Sequence, residues 1–157
     1  MGSTTLNQKY LLFYTDAFKV LDGDELKQLN FLNEGPGICL KDEERHIMIT
    51  AAWKQVGGFV SMMLNDKDVI KNAEEYIRKA NKPYQYHYDG PVHLEAAGQK
   101  AEGFQYGYHV QDTDMTGICC AIKDGKTIYY FYLYVRKENE EEGIGIFRQM
   151  LENITTV

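Results

Sequence analysis

The most regular hydrophobic pattern of the chain lies in residues 126–137, Lys-Thr-Ile-Tyr-Tyr-Phe-Tyr-Leu-Tyr-Val-Arg-Lys. β-Branched and aromatic residues fill this segment, and such residues suit a packed strand. Because alternate side chains of a strand point to opposite faces, one face would carry Ile128, Tyr130, Tyr132 and Tyr134, and the other Tyr129, Phe131, Leu133 and Val135. Both faces are bulky and partly apolar, which predicts a central strand in a sheet that is covered on both sides.

Helical spacing of apolar residues is clearest in residues 66–80. Either Asp66 or Asp68 stands where a carboxylate would cap the free amides of a first turn. The inward stripe of this predicted helix consists of Val69, Ala73, Tyr76, Ile77 and Ala80. Basic residues follow near its end, and Pro83 stops it.

Two further helices are predicted from weaker patterns. One is a short helix over residues 25–32. The other is C-terminal: four glutamates within residues 138–142 open it and suit the helix dipole. Its inward stripe would consist of Ile144, Phe147, Leu151 and Ile154. Residues 59–64 are apolar but too few to assign to a helix or a strand.

Short alternating segments between turn signals predict the remaining strands. They are residues 9–14 and 17–20, a hairpin of 37–40 with 45–54, then 84–88, 92–96 and 101–110, and a last hairpin of 116–123 with 126–136 around Asp124-Gly125. This order predicts an α+β fold with a mainly antiparallel sheet and helices on both faces, an α/β/α sandwich. We expect one domain over residues 1–157, with residues 1–8 flexible.

Composition narrows the classes of partner. The chain of 157 residues has a formal charge of −6, which argues against nucleic acid and against an anionic membrane. No apolar run is long enough to span a bilayer, so we predict no direct membrane insertion. The three cysteines are odd in number and form no CxxC motif, which favours free thiols in a reducing compartment. We expect a cytoplasmic location, or an extracytoplasmic one if a native leader has been removed.

Several motifs together resemble the Mog1/PsbP-like fold, and within it the bacterial DcrB/DUF1795-type branch. They are residues 37–40 leading to 47–51, the lone helix 66–80, the segment Asp-Gly-Pro-Val-His-Leu-Glu-Ala-Ala-Gly-Gln-Lys-Ala at 89–101, the turn 124–126, and the closing helix 146–154. The resemblance covers residues 10–155. It implies an α+β sandwich and a non-enzymatic role, since members of this fold serve as GTPase cofactors, photosystem subunits, chaperones of secreted effectors and lipoproteins.

No catalytic, metal or cofactor motif stands out, and we predict none of the three. His46, His87, His93 and His109 lack the convergent spacing of metal ligands. A nucleophilic pair of His109 with Cys119 or Cys120 would need a setting that lowers the pKa of the thiol, and an apolar strand provides none. An enzyme therefore remains the weakest hypothesis, and it requires His109, a cysteine and a carboxylate in one cleft.

The candidate binding residues are aromatic: Tyr84, Tyr86, Tyr88, Tyr106, Tyr108 and Trp53. If a helix covers the tyrosines, they border the core; if their face is open, it forms a contact groove. A groove predicts a protein-binding or adaptor domain that holds a protein segment. The alternative is a small-ligand or lipid-binding domain with an enclosed pocket of Tyr, Phe and Met, with Met62 and Met63 nearby. The sequence pattern gives no basis for predicting the oligomeric state.

Overall fold

A computed structural model describes residues 1–21 and 36–157. The helix predicted over residues 25–32 lies outside them. The strands are β1 (Gly2–Leu6), β2 (Tyr10–Tyr14), β3 (Lys19–Val20), β4 (Gly37–Asp42), β5 (Ile47–Gln55), β6 (His87–Ala96), β7 (Gln99–Val110), β8 (Thr113–Asp124), β9 (Thr127–Arg136) and β10 (Thr155–Thr156). The helices are α1 (Gly58–Met63), α2 (Asp66–Ala80) and α3 (Glu140–Glu152), with short 3₁₀ turns at Lys82–Tyr84 and Lys137–Asn139.

The main sheet has seven strands in the order β3-β4-β5-β9-β8-β7-β6, and every neighbouring pair is antiparallel. A smaller antiparallel sheet has the order β1-β2-β10. The predicted central strand is confirmed, because β9 lies between β5 and β8. The predicted α+β architecture is also confirmed, with α2 against β7 and β8 and α3 against β6 and β9.

The two faces of β9 pack against different layers, as its alternation predicts. On one face, called the α3 face, Phe131 and Leu133 pack with Phe147 and Leu151 of α3 and with Leu12 of the small sheet. On the other, called the α2 face, the buried cluster consists of Ile77, Phe104, Tyr106 and Cys119. The sheet is therefore covered on both sides, and no helix in the described ranges is long and apolar enough to cross a membrane.

Helix α2 has the bounds that its spacing predicts, but its cap differs from the prediction. Asn65 is the N-cap, and its side-chain oxygen accepts a hydrogen bond of 2.9 Å from the Asp68 amide. Of the predicted inward stripe, Val69 and Ile77 are buried, whereas Tyr76 is 45% exposed. The stripe is narrower than predicted because the helix lies near the edge of the sheet, over β7 and β8.

Three local segments differ from the predicted pattern or add to it. Residues 1–8, which we expected to be flexible, include β1, which pairs with β2 along its length, and Leu6 is fully buried. Between the predicted strands 84–88 and 92–96 the structure has a bulge within the continuous strand β6, where Gly90 has a φ of +134°. Residues 59–64, which the pattern left unassigned, contribute most of helix α1.

Candidate functional site

Five aromatic rings lie side by side on the α2 face, near the edge formed by β6 and β7. This aromatic row consists of Tyr86, Tyr88, Phe104, Tyr106 and Tyr108. Alternation along β7 places three of the rings on one face, and the pairing of Tyr88 with Tyr106 aligns β6 beside them. Neighbouring ring centroids are 5.5 to 6.1 Å apart, within the usual range for packed aromatic pairs.

The inner part of the aromatic row belongs to the core. Tyr106 is 1% exposed, and its ring occupies the space above Gly117, where a Cβ would lie 2.3 Å from Cζ of the tyrosine. The hydroxyl of Tyr86 donates a hydrogen bond of 2.8 Å to Glu74 of α2. Burial, together with this hydrogen bond, raises the pKa of Tyr86 above its ordinary value. Burial also raises the pKa of Tyr108, to about 12. These three tyrosines stay neutral at physiological pH.

The outer part of the aromatic row opens into a cleft. Tyr88 is 52% exposed, and its ring stacks on Phe104 with 6.1 Å between centroids. The cleft has a volume of about 960 Å³ and lies between the first half of α2 and strands β6 and β7. Tyr88, Phe104, Ile70 and Pro91 form its apolar part. We call it the α2–β6 cleft.

Charged side chains of both signs surround the apolar part of the α2–β6 cleft. Lys67, Lys71 and Glu74 come from α2. From the sheet side come His93 of β6 and Glu102 of β7, which contact each other across the two strands. A ligand in the cleft would therefore meet an apolar surface bordered by both cations and anions.

The structure brings together four of the six predicted binding residues. Tyr86, Tyr88, Tyr106 and Tyr108 lie in the aromatic row, but Tyr84 and Trp53 do not. Tyr84 ends the 3₁₀ turn Lys82–Tyr84, and Gln85 after it has a left-handed φ of 57°, so the strand predicted at 84–88 begins only at His87. Trp53 lies on the α3 face, with its ring 6.4 Å from that of Tyr129.

Of the four apolar residues of the cleft, Tyr88 was predicted as a binding residue, whereas Phe104, Ile70 and Pro91 were not. Phe104 lies in the alternation that carries Tyr106 and Tyr108, so its place on the same face was visible in the sequence. Ile70 lies just outside the predicted stripe of α2 and gave no signal, because only the position of the helix near the sheet edge turns it towards the cleft.

The groups required for nucleophilic catalysis do not converge. His109 contacts Asp114 at 2.8 Å, at the beginning of β8. Cys119 and Cys120 are fully buried, and burial raises the pKa of both thiols. Cys119 is five positions from Asp114, which corresponds to about 16 Å along a strand. Across the described ranges, no three His, Cys, Asp or Glu side chains form a group that could hold a metal ion.

A second apolar pocket lies between the small sheet and α3. It has a volume of about 380 Å³, and Phe13, Phe18, Ile146 and Met150 are among its lining residues. Met62 and Met63, which were expected near a ligand pocket, belong instead to α1 and are 86% and 68% exposed. The expected combination of Tyr, Phe and Met does line this pocket, through Tyr14, Phe13 and Met150 among others, but Met62 and Met63 take no part in it.

Comparisons with known proteins find similarity in structure alone. No family model and no curated protein matches the sequence. The solution structure of PsbP (CyanoP) from Synechocystis sp. PCC 6803 is similar over 98% of this chain and 90% of that chain, with a TM-score of 0.72 and 11% identity. The crystal structure of LpqN, which is involved in cell envelope biogenesis of Mycobacterium tuberculosis, is similar over 94% of this chain and 83% of that one, with a TM-score of 0.58 and 13% identity.

A third similar structure is PA94, a protein of unknown function from Pseudomonas aeruginosa. It covers 98% of this chain and 94% of its own, with a TM-score of 0.52 and 12% identity. At these identities the likeness concerns the fold, and membership of the DcrB/DUF1795-type branch stays a prediction. The strand order and the two covering helices agree with the likeness to these solved structures. The chain therefore has the Mog1/PsbP-like fold.

Proposed function

We propose that this protein is a non-enzymatic binding domain that holds a segment of another protein in the α2–β6 cleft. The observation that carries the proposal is Tyr88, which is 52% exposed and stacks on Phe104 inside the cleft. A half-exposed tyrosine on a rigid aromatic base is a suitable anchor, because it offers a large contact area at little cost in conformational entropy.

The form of the cleft favours an extended peptide over a compact ligand. Its apolar part is flanked by Lys67 and Lys71 on one side and by His93 and Glu102 on the other. Among the described strands, β6 pairs only with β7, so its outer edge presents backbone donors and acceptors beside the cleft. Such an edge can pair with an extended segment, although Pro91 removes one donor.

The chemistry of the candidate groups supports a role without catalysis. The thiols of Cys119 and Cys120 are buried, and burial raises their pKa, so both remain protonated near neutral pH. A thiol of this kind is a poor nucleophile. His93 and His109 each contact a carboxylate at the surface, which is an ordinary feature of exposed strands.

The same cysteines bear on the cellular compartment. Cys39, Cys119 and Cys120 are buried thiols that form no disulfide. Free thiols are typical of proteins in a reducing environment, so the cytoplasm remains the location we favour. Fractionation of the source cells, followed by immunodetection of the protein, would test this.

The test of the proposed function is capture of partners from the source lysate by the tagged protein, with identification by mass spectrometry. We expect Tyr88→Ala to weaken binding of the captured partner by about 2 kcal/mol, the usual loss for an interface anchor. Tyr76→Ala is the matched control, because Tyr76 is 45% exposed on α2 but does not line the cleft. Tyr106→Ala is unsuitable, since it would leave a cavity in the core.

Isothermal titration of the purified partner with the parent and both variants gives the decisive comparison. Equal affinity of the parent and Tyr88→Ala would remove the α2–β6 cleft from the interaction. Equal weakening by Tyr88→Ala and Tyr76→Ala would place the interface on the outer surface of α2 instead.

The pocket between the small sheet and α3 favours a second candidate, the binding of a small apolar ligand. Its volume of about 380 Å³ lies within the range of small-molecule sites, and Phe13, Phe18, Ile146 and Met150 give it an apolar lining. Native mass spectrometry of the freshly purified protein would detect a bound small mass. Phe13→Ser, at a half-buried position of the lining, should then abolish that mass, whereas Tyr88→Ala should leave it bound.

A further inference from the structure

Helix α1 presents large apolar side chains to solvent. Phe59, Met62 and Met63 are 78%, 86% and 68% exposed, and none of the six residues of the helix is buried. Residues three and four positions apart share one side of a helix, so these three side chains form a single patch, which we call the α1 tip. Exposed apolar residues grouped in this way mark an interaction surface more often than isolated ones do.

Polar contacts, and not apolar packing, hold α1 on the body of the protein. The Ser61 hydroxyl donates a hydrogen bond of 2.7 Å to the Gly125 carbonyl in the β8–β9 turn. The Lys123 ammonium donates to the carbonyls of Ser61 and Leu64, the latter at 3.1 Å. The apolar side chains of the tip are therefore held in position, although none of them is buried in the core.

Lysines surround the base of the α1 tip. Lys123 lies directly beneath the helix, and the side chain of Lys126 passes 3.4 Å from the position that a Cβ on Gly58 would take. Lys54 lies on the adjacent strand, where it pairs with Ile128. The carboxylate of Asp124, in the β8–β9 turn, pairs with the Lys9 ammonium and accepts a hydrogen bond from the Tyr10 hydroxyl.

Two other carboxylates, Asp66 and Asp68, lie in the first turn of α2 with Lys67 between them. They offset part of the positive charge of the lysines. Helix α2 begins at Asp66, two residues beyond Leu64, so these two groups lie beside the tip and not beneath it. The immediate base of the α1 tip remains basic.

Among the described residues, one group of acidic side chains lies at the opposite end of the sheet. The glutamates of residues 138–142 follow the end of β9, and Glu140 accepts a hydrogen bond from Thr116 near the beginning of β8. Strand β9 spans about 30 Å, several times the Debye length at physiological ionic strength. These glutamates therefore do not oppose the approach of an anionic surface to the lysine end, in contrast to the expectation that the net charge of −6 argues against such a surface.

We propose that the α1 tip docks on the surface of a membrane that contains anionic lipids. Phe59, Met62 and Met63 would enter the interface between headgroups and acyl chains, while the exposed Lys126 at the base of the tip faces the lipid phosphates. A short convex helix with no buried residue suits a soft, flat surface, whereas the concave α2–β6 cleft suits a peptide. The proposal goes beyond the proposed function, because it uses a different surface of the molecule.

The test is co-sedimentation of the purified protein with vesicles of phosphatidylcholine, with and without phosphatidylglycerol. We expect the parent to bind the anionic vesicles, more weakly at high salt. The double variant Phe59→Ser/Met62→Ser should lower the partition coefficient by about tenfold or more. Lys126→Gln should lower it about fivefold on anionic vesicles and leave it unchanged on neutral ones.

Tyr76→Ser is the matched control, since it removes an exposed ring from another surface and should bind vesicles like the parent. Circular dichroism melting of each variant checks the fold, which should be unchanged because α1 buries none of its residues. Absence of binding by the parent, or equal binding by the parent and the double variant, would overturn the proposal. Self-association of the parent that the double variant abolishes would also overturn it, because a second copy would then cover the tip.

Discussion

The carboxylate of Asp124 ties the small sheet to the β8–β9 turn. It accepts a hydrogen bond of 2.7 Å from the hydroxyl of Tyr10 and also pairs with Lys9. These contacts join residues more than a hundred positions apart in the sequence. The ammonium of Lys9 and the hydroxyl of Tyr10 hold the pKa of Asp124 below its ordinary value, so folding favours the ionised form.

Asp124→Asn should therefore destabilise the protein in a pH-dependent way. The lowered pKa means that the contribution is complete above the pKa of the unfolded chain, about 4, and is lost as the pH falls through the lower folded value. We expect the variant to lose about 1–2 kcal/mol of unfolding free energy at pH 7. Urea unfolding of both proteins from neutral to strongly acid pH measures this. A deficit that stays constant over that range would contradict the assignment to the charged carboxylate.

The helix α3 contains two glycines with different surroundings. Gly143 faces the sheet, where an added Cβ would lie 2.8 Å from Cγ2 of Val135. Gly145 has no atom within 4 Å of the corresponding position. Of the two glycines, Gly143 alone lies in close contact with the sheet. Gly143 allows the helix to lie against β9, and the packing around Gly145 gives no reason for a glycine.

Alanine at these two positions should act in opposite directions. Gly145→Ala should raise the unfolding free energy by about 1 kcal/mol, because alanine is the better helix former and meets no neighbour. Gly143→Ala should lower it by about 1–2 kcal/mol, since the clash with the stiff, buried Val135 outweighs the gain in propensity. Thermal unfolding of the two variants side by side measures the difference. The same sign for both would mean that α3 moves freely away from the sheet.

The small sheet completes the larger core. Leu6, Tyr10 and Leu12 are buried in the same cluster as Phe147 of α3 and Phe131 of the main sheet. Strand β10 follows α3 and pairs with β2, so segments from the two ends of the described chain meet in one layer. We therefore expect the first strand to unfold together with the rest of the core.

Leu6→Ala should consequently cost about 2–5 kcal/mol of unfolding free energy, the usual range for a buried leucine. Thr5→Ala, its exposed neighbour on the same strand, should stay within about 0.5 kcal/mol of the parent. Chemical denaturation of both variants gives the comparison. If neither substitution changed the unfolding free energy, the first strand would have to unfold separately from the core, as expected for a flexible N-terminus.

Prediction from the sequence succeeded where a single physical constraint determined the local structure. The double alternation of β9 required cover on both faces, and spacing alone located α2 at its observed bounds. Predictions failed where position in the whole fold decided. Tyr76 repeats at helical spacing but lies beyond the sheet that would bury it, and Tyr84 follows a proline in a 3₁₀ turn. The exposure of α1 could not be read from its residues, because an apolar segment of six predicts burial.

The candidate site was predictable in part for the same reason. Alternation placed Tyr106 and Tyr108 on one face, but only the strand register brings Tyr88 beside Phe104. The cleft itself depends on where α2 crosses the sheet, and no local pattern encodes that.

The adjacent thiols of Cys119 and Cys120 give the protein two internal reporters. One lies beneath α2 and the other on the α3 face, and both are fully buried. In a Cys39→Ala background, the rate at which each thiol reacts with a maleimide would therefore give the free energy with which its own layer opens. Equal rates would mean that both layers open together in a single global event. A faster rate at Cys119 would mean that α2 detaches first, which is the motion that would widen the α2–β6 cleft to admit a peptide.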